Sequence, residues 1–184
     1  MSDGRRADAR RNYARILAVA EEEVATHGSG ASLEQIARTA NVGSATVRRH
    51  FPTRRALLEA VSANRIAALC ARAVALTGED DSRKALLTWL DEVVVYCVSA
   101  RGLAAALSYD GPATENSCST AIEEAGEPLL RRAVRDGAVP PDVTVAELIT
   151  LIVGIVLATE HHPDPAAQAD RLFRLAVAGL SPRT

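Results

Sequence analysis

Apolar residues recur every three or four positions through most of this chain of 184 residues, which is the spacing of one face of an α-helix. The first segment with this pattern runs from about Ala7 to His27. Its apolar face consists of Tyr13, Ile16, Leu17, Ala20 and Val24. We therefore predict a long amphipathic helix near the start of the chain.

Turn-forming residues divide the remaining chain into further segments with helical periodicity. We predict helices at about 33–40, 44–50, 53–76, 82–100, 103–109, 117–136, 144–160 and 166–179. Pro128 falls inside one of them and is expected to kink or split it. The chain is rich in alanine, leucine, arginine and glutamate and only 3% aromatic, which favours helices over sheets. The predicted fold class is all-α, with about nine helices and no convincing strand.

The second and third predicted helices are short and are separated by a tight turn at 41–43. Ser32 and Gln35 have the spacing of a capping box, in which the Ser32 hydroxyl accepts from the Gln35 amide and the Gln35 side chain reaches back. Asn41 is one of the few non-glycine residues that tolerate a positive φ. Two short helices joined in this way and packed on the first long helix form a helix-turn-helix unit. Its predicted core consists of Leu33, Ile36, Ala37, Val42, Val47 and Phe51 against Ile16, Ala20 and Val24.

The third predicted helix presents a polar and basic surface in this arrangement. Its outward residues are Ser44, Thr46, Arg48, Arg49 and His50. Such a helix fits the width of the DNA major groove, where its donors reach base edges and phosphates. The alternative interpretation is an ordinary solvated helix face, and for Thr46 it is a packing or capping role.

The charges are unevenly distributed along the chain. Residues 1–60 hold ten basic and seven acidic side chains, whereas the whole chain has a formal net charge of −2. A basic N-terminal third on an acidic remainder suggests that only the first part meets a polyanion. An excess of this size also arises by chance, so the position of the basic residues matters more than their number.

The segment from Asn12 to Val61 resembles the DNA-binding domain of the TetR family of bacterial transcriptional regulators. The resemblance rests on the stretches 16–20, 32–37, 40–47, 50–54 and 56–58, and it runs without a gap. It implies a three-helix DNA-binding domain over residues 1–52, with helix four connecting from residue 53. It also implies a helical ligand-binding and dimerisation domain over residues 53–184. The function implied is that of a repressor that binds a palindromic operator as a homodimer and is released by a small-molecule ligand.

The resemblance also implies DNA contacts for particular residues. Ser32 begins a helix whose N-terminal amides can hold a phosphate, and Arg54 stands where the family often has a phosphate-binding lysine. The N-terminal arginines, Arg5, Arg6, Arg10 and Arg11, reach the minor groove as an arm or form a solvated tail. The candidate DNA-binding residues are Ser32, Ser44, Thr46, Arg48, Arg49, His50 and Arg54.

Three positions depart from the family's usual pattern. Asn41 replaces a glycine, which its tolerance of positive φ accommodates. Gly43 replaces a serine, so the cap of the third helix is weakened. Arg48 replaces a tyrosine that commonly touches a backbone phosphate. Arg48 either takes that role with a charge-assisted contact or reads a base, and the sequence does not choose between them.

The segment 144–160 is apolar around nearly its whole circumference, and such a helix needs partners on two sides. Gly154 and Ala158, four residues apart, allow close helix approach. We therefore predict a four-helix dimer interface formed with the last helix, the alternative being burial of both helices within one chain. The predicted interface residues are Leu148, Ile152, Ile155, Leu172, Phe173 and Ala176.

The middle of the chain carries the candidates for a ligand pocket. Tryptophan and tyrosine combine an apolar body with a polar atom and are typical of pockets, although at helical spacing they are more often core residues. The candidates are Trp89, Tyr96, Cys97, Leu103, Leu107, Tyr109, Cys118 and Ile122. Stretches 101–104 and 138–143 also resemble the C-terminal domain of one TetR subgroup, which does not identify the effector.

Several functions are disfavoured by what the sequence lacks. It has no G-x-S-x-G, P-loop, G-x-G-x-x-G or H-E-x-x-H motif, so we expect no enzyme, cofactor or metal. The adjacent His161 and His162 lack metal-ligand spacing and read as a polar helix end. The longest apolar run, Leu148–Ala158, is too short to span a bilayer. Three scattered cysteines and the absence of a signal peptide lead us to expect a cytoplasmic protein without membrane contact.

Overall fold

The computed structural model describes the backbone of residues 2–27, 30–108 and 115–179, and the side chains of residues 8–27, 30–99 and 120–178. Within these ranges it is all-helical, which confirms the predicted fold class. The eight helices described are α1 (Ser2–His27), α2 (Leu33–Thr39), α3 (Ser44–His50), α4 (Arg54–Leu76), α5 (Ser82–Ser108), α6 (Glu115–Arg135), α7 (Val145–Ala158) and α8 (Pro165–Gly179).

Two of the predicted helices form one. The segments predicted at 82–100 and 103–109 are joined, as far as residue 108, in the continuous helix α5, which runs through Gly102. A glycine inside a helix costs only about 1 kcal/mol, which the other residues of a long helix offset. Pro128 likewise lies inside α6 without splitting it.

The chain divides into two compact units, with boundaries within α4, between Asn64 and Arg65, and within α5, between Ala100 and Arg101. The first unit contains α1, α2 and α3 with the start of α4 and the end of α5. Its core is formed by the apolar faces of α1 to α4 and includes every residue predicted for it. Ile16, Ala20, Val24, Ile36, Ala37, Val47 and Phe51 are buried, and Leu33 and Val42 are partly buried against them.

The core of the second unit is built around Trp89 of α5. The indole is fully buried, and its Nε1 donates to the Leu69 carbonyl oxygen of α4 at 3.1 Å. On another side α6 approaches the ring so closely that a Cβ atom at Gly126 would lie 2.4 Å from Trp89 Cη2. Trp89 therefore belongs to the core of the second unit, and its polar atom is satisfied by backbone inside the protein. Its assignment as a pocket residue stays a prediction.

Three of the six residues that the sequence assigned to a dimer interface point into the core of their own chain. Leu148, Ile152 and Phe173 are all buried there, which corrects their assignment to an intersubunit surface. The cause lies in α7: a helix that is apolar on all sides carries no periodicity to show which face is internal. Ile155, Leu172 and Ala176 are half-buried.

One arginine joins α6 to the loop between α4 and α5. Arg132 donates from Nη1 to the Thr77 carbonyl oxygen at 2.7 Å and from Nη2 to the Asp80 carbonyl oxygen at 2.9 Å. The guanidinium thus satisfies one carbonyl oxygen directly after the last residue of α4 and one in the loop before α5.

The contact between α6 and Trp89 predicts a steric effect of substitution. Gly126→Ala places its Cβ against the buried indole and also 3.0 Å from Val145 Cγ1, so the core must shift. We expect a loss of about 1–3 kcal/mol in the free energy of unfolding, measured by urea titration.

The matched control is Gly78→Ala, because Gly78 is exposed and the nearest atom to an added Cβ is the Ala75 carbonyl oxygen at 3.8 Å. Its stability should remain within about 0.5 kcal/mol of the parent. Equal stabilities for the two variants would contradict the tight packing of Trp89.

Candidate nucleic-acid interface

The turn between α2 and α3 has the conformation expected from its sequence. Asn41 has a φ of 50°, in the left-handed region that the turn requires. The Val42 amide donates to the Ala37 carbonyl oxygen at 3.0 Å, which satisfies an open acceptor at the end of α2. Gly43 is the N-cap of α3 and supplies no side-chain cap, so the weakened cap is confirmed.

The start of α2 is held by side chains from α1 and from the cap itself. Ser32 Oγ accepts from the Gln35 amide at 3.2 Å, as predicted. The second half of the capping box is wrong: Gln35 Nε2 donates to Thr39 Oγ1, and the Ser32 amide donates to Glu23 Oε1 of α1 at 3.2 Å. Glu23 thus replaces the reciprocal contact from a position that local spacing does not reveal.

Two apolar side chains determine how α3 is oriented. Val47 and Phe51, four residues apart, are fully buried in the core of the first unit. Arg49, two positions from each anchor, therefore lies on the opposite, exposed side of α3, and Ser44 and Arg48 are exposed beside the anchors. Thr46 is half-buried.

His50 is directed towards α1. Its ring lies edge-on to Tyr13, with ring centroids 5.6 Å apart, and Tyr13 in turn packs on Phe51 at 5.4 Å. The histidine is half-buried, so part of its surface belongs to this aromatic cluster. Its role in DNA binding stays a prediction.

Arg48 forms an ion pair that the sequence analysis missed. Its Nη2 donates to Glu34 Oε1 at 2.7 Å, across the gap between α3 and α2. The pKa of Glu34 lies below its ordinary value because the carboxylate accepts from its own backbone amide and from the Arg48 guanidinium. The two residues are fourteen positions apart, so the signal is visible only once the turn has set the two helices side by side.

Arg49 differs from its neighbour in its surroundings. It is exposed and takes part in no ion pair with the described residues of the chain. With Arg48 and His50 it forms the last turn of α3, where positive charge is favoured by the helix dipole. The full positive charge of its guanidinium is therefore presented to solvent.

Arg54 has an internal role in addition to the predicted one. Its Nε and Nη2 both donate to the Ala31 carbonyl oxygen, at 3.2 and 2.7 Å. This contact joins the start of α4 to the residues that precede α2. A phosphate contact by Arg54 remains a prediction and would have to use its remaining donor atoms.

Two of the four arginines of the predicted arm, Arg5 and Arg6, have side chains outside the described residues. Arg10 and Arg11 are exposed on α1, and Arg11 pairs with Asp8 one turn away.

The remaining pocket candidates are only partly described. Tyr96 and Cys97 are half-buried on α5, and Ile122 is buried on α6. Burial raises the pKa of the Cys97 thiol to about 11, so the reactive thiolate is disfavoured at neutral pH. Tyr109 and the side chains of Leu103, Leu107 and Cys118 lie outside the described residues.

A groove of about 720 Å³ lies elsewhere in the second unit. Its walls are formed by α6 and by residues that precede α7, and they include Pro128, Arg131, Val134 and Thr144. None of the predicted pocket residues lines it. The sequence therefore gives no reason to place a ligand in this groove.

None of the described helices has the length and apolar character that a membrane crossing demands. Among the described side chains, no three histidine, cysteine, aspartate or glutamate residues come together as metal ligands.

Comparison with known families matches both parts of the chain. Residues 16–61 match the model for bacterial regulatory proteins of the tetR family. Residues 81–182 match the model for the C-terminal domain of SbtR-like transcriptional regulators. The sequence has no significant match among curated protein sequences.

Several solved structures are similar over nearly the whole chain. The TetR transcriptional regulator SCO0520 from Streptomyces coelicolor is 34% identical, with a TM-score of 0.80, covering 94% of this chain and 99% of that one. A TetR regulatory protein from Mycobacterium vanbaalenii is 33% identical, with a TM-score of 0.76, covering 96% and 99%. A gamma-butyrolactone receptor described as ArpA-like shares the fold at 20% identity, with a TM-score of 0.61, covering 95% and 90%.

The C-terminal model alone spans more than half of the chain, and the first two structures combine identity above 30% with coverage above 90%. Both findings agree with the helix-turn-helix geometry of α2 and α3. The chain belongs to the TetR family of bacterial transcriptional regulators.

Proposed function

We propose that the protein is a repressor that binds a palindromic DNA operator as a homodimer and is released by a small-molecule ligand. The observation that carries this proposal is the exposed face of α3 with Arg48 and Arg49, within the segment that matches the family's N-terminal model. Nothing in the described site resembles a catalytic constellation, and the family is one of regulators.

The recognition surface of this proposal is α3. Its buried anchors leave Ser44, Arg48 and Arg49 available to the major groove. Arginine donates two parallel hydrogen bonds to guanine, which is the commonest specific contact in that groove. Arg49, which pairs with no carboxylate among the described residues, is the residue we assign to this role.

The dimer contact of this proposal lies on the outward faces of α7 and α8. Leu157 and Leu175 are 58% and 59% exposed, an unusual degree for leucines of a folded chain. Gly154 lies on the same outward side of α7 as Leu157, with no atom within 4 Å of an added Cβ, so a second backbone can approach closely. This surface replaces the buried residues that the sequence had suggested.

Twofold symmetry gives the proposal its geometry. Two copies of α3 related by such an axis read half-sites about one turn of DNA apart, roughly 34–36 Å. A palindromic operator follows from that symmetry. A ligand that binds more tightly to a form with a different half-site spacing weakens DNA binding by linkage.

Selection of bound duplexes from a random DNA pool tests the proposed function directly. We expect enriched sequences with two inverted half-sites whose centres are about ten base pairs, or a multiple of one turn, apart. Enrichment of a single unrepeated site would contradict dimeric recognition. A failure to enrich any sequence would contradict the regulator's proposed operator binding.

Arg49 and Arg54 make a matched pair of substitutions with different expected results. Arg49→Ala should weaken binding to the selected operator by about 1–3 kcal/mol and relax the preference at one base pair. Arg54→Ala should weaken all duplexes about equally and also lower the stability of the fold by about 1 kcal/mol, because the Ala31 carbonyl oxygen loses its donor. Fluorescence anisotropy and thermal unfolding measure the two effects.

Two other results would exclude the roles assigned to these arginines. An unchanged base preference in the Arg49 variant would show that this residue does not read sequence. A sequence-dependent loss in the Arg54 variant would show that it contacts a base.

The proposed dimer surface is tested by placing a charge on it. Leu157→Glu should convert the dimer to a monomer at micromolar concentration, because an unpaired carboxylate would be buried between the subunits. Size-exclusion chromatography with light scattering measures the mass.

Val74→Glu is the control, since Val74 is also apolar and 69% exposed but lies on α4, which forms no part of the proposed surface. It should leave the mass unchanged. A dimeric Leu157 variant would exclude this face as the interface.

A further inference from the structure

The two adjacent arginines of α3 are in different electrostatic states. Arg49 is unpaired among the described residues, whereas Arg48 donates to the Glu34 carboxylate at 2.7 Å. An ion pair of this kind carries little net charge towards a distant phosphate. The free protein therefore presents one full positive charge from this arginine pair instead of two.

The contact between Glu34 and Arg48 also constrains the direction in which the Arg48 guanidinium points. A guanidinium has five N–H donors in a rigid plane, and one edge of Arg48 is occupied by Glu34 Oε1. The pair spans two helices whose relative position is set by the turn at Asn41 and by the buried Val47. The side chains of the pair are 62% and 56% exposed, but the backbone positions from which they meet are fixed by the core.

Glu34 is itself held in place at the first turn of α2. Its carboxylate lies 3.5 Å from Ser32 Oγ and accepts from its own backbone amide. A carboxylate there repels a phosphate that approaches Arg48 from the same side. Arg48 is therefore less available for a phosphate contact, which DNA of any sequence offers.

We propose that Glu34 is a positioning residue that suppresses sequence-independent DNA binding by holding Arg48 as a neutral, oriented pair. This inference rests on the proposed DNA-binding function of α3. It assigns Arg48 to base reading with its remaining donors and denies it the phosphate contact made at that position by the family's usual tyrosine. Glu34 contributes to selectivity by weakening the complexes with DNA that lacks the operator sequence.

The test uses the full-length protein and a labelled 30-base-pair duplex of mixed sequence, so it does not need the operator. Glu34→Gln keeps the shape of the side chain and removes its charge. We expect roughly two- to fivefold tighter binding to this duplex. The slope of log K against log salt concentration should become steeper by about 0.9, the value for one added phosphate contact.

A double-substitution cycle isolates the partner. Arg48→Gln should leave the salt slope of the parent nearly unchanged, because the paired arginine contacts no phosphate. In the Glu34→Gln background the same change should lower the slope by about 0.9. Glu22→Gln, on the exposed side of α1, is the control for the loss of one negative charge and should alter the slope much less.

The outcomes separate this inference from the proposed function. If the parent protein shows no salt-dependent DNA binding at all, the proposed function fails and the inference fails with it. If the parent binds, but Glu34→Gln and Glu22→Gln have equal effects, Glu34 acts only through net charge and the inference alone is overturned. The same holds if Arg48→Gln lowers the slope of the parent by the full amount.

Discussion

The structure of the first unit depends on the burial of Val47 and Phe51. These side chains lock one face of α3 into the core formed by α1, α2 and the start of α4. Because a helix has 3.6 residues per turn, fixing that face also fixes the opposite one. The exposure of Arg49 opposite these anchors is therefore a consequence of apolar packing, and the hydrophobic core sets the surface that we propose contacts DNA.

The helix-turn-helix could be predicted almost completely from sequence, and the reason is that its signals are local. The φ of Asn41, the serine cap at Ser32 and the apolar spacing each depend on residues a few positions apart. The Glu23 contact to the Ser32 amide and the Glu34–Arg48 pair were missed because they join residues 9 and 14 positions apart. Such contacts follow from tertiary structure and have no periodic signature.

The second unit was less predictable, and α7 shows why. On a helix that is apolar on every side, the core face and the exposed face carry the same residue types. The sequence therefore could not distinguish the buried Leu148 and Ile152 from the exposed Leu157. Trp89 shows a related ambiguity: its size and polar atom fit either a pocket or a core, and in the structure its Nε1 bonds to a backbone carbonyl oxygen within the core. Residue type limits the environments a side chain can occupy but does not select among them.

The close approach of α6 to Trp89 has a consequence for how this sequence can change. A side chain at position 126 and a tryptophan at position 89 compete for the same volume, since the separation allows no β-carbon. Neither position can drift alone without loss of packing density. A relative with a larger residue at 126 should carry a smaller one at 89, so substitutions at these two positions should occur together.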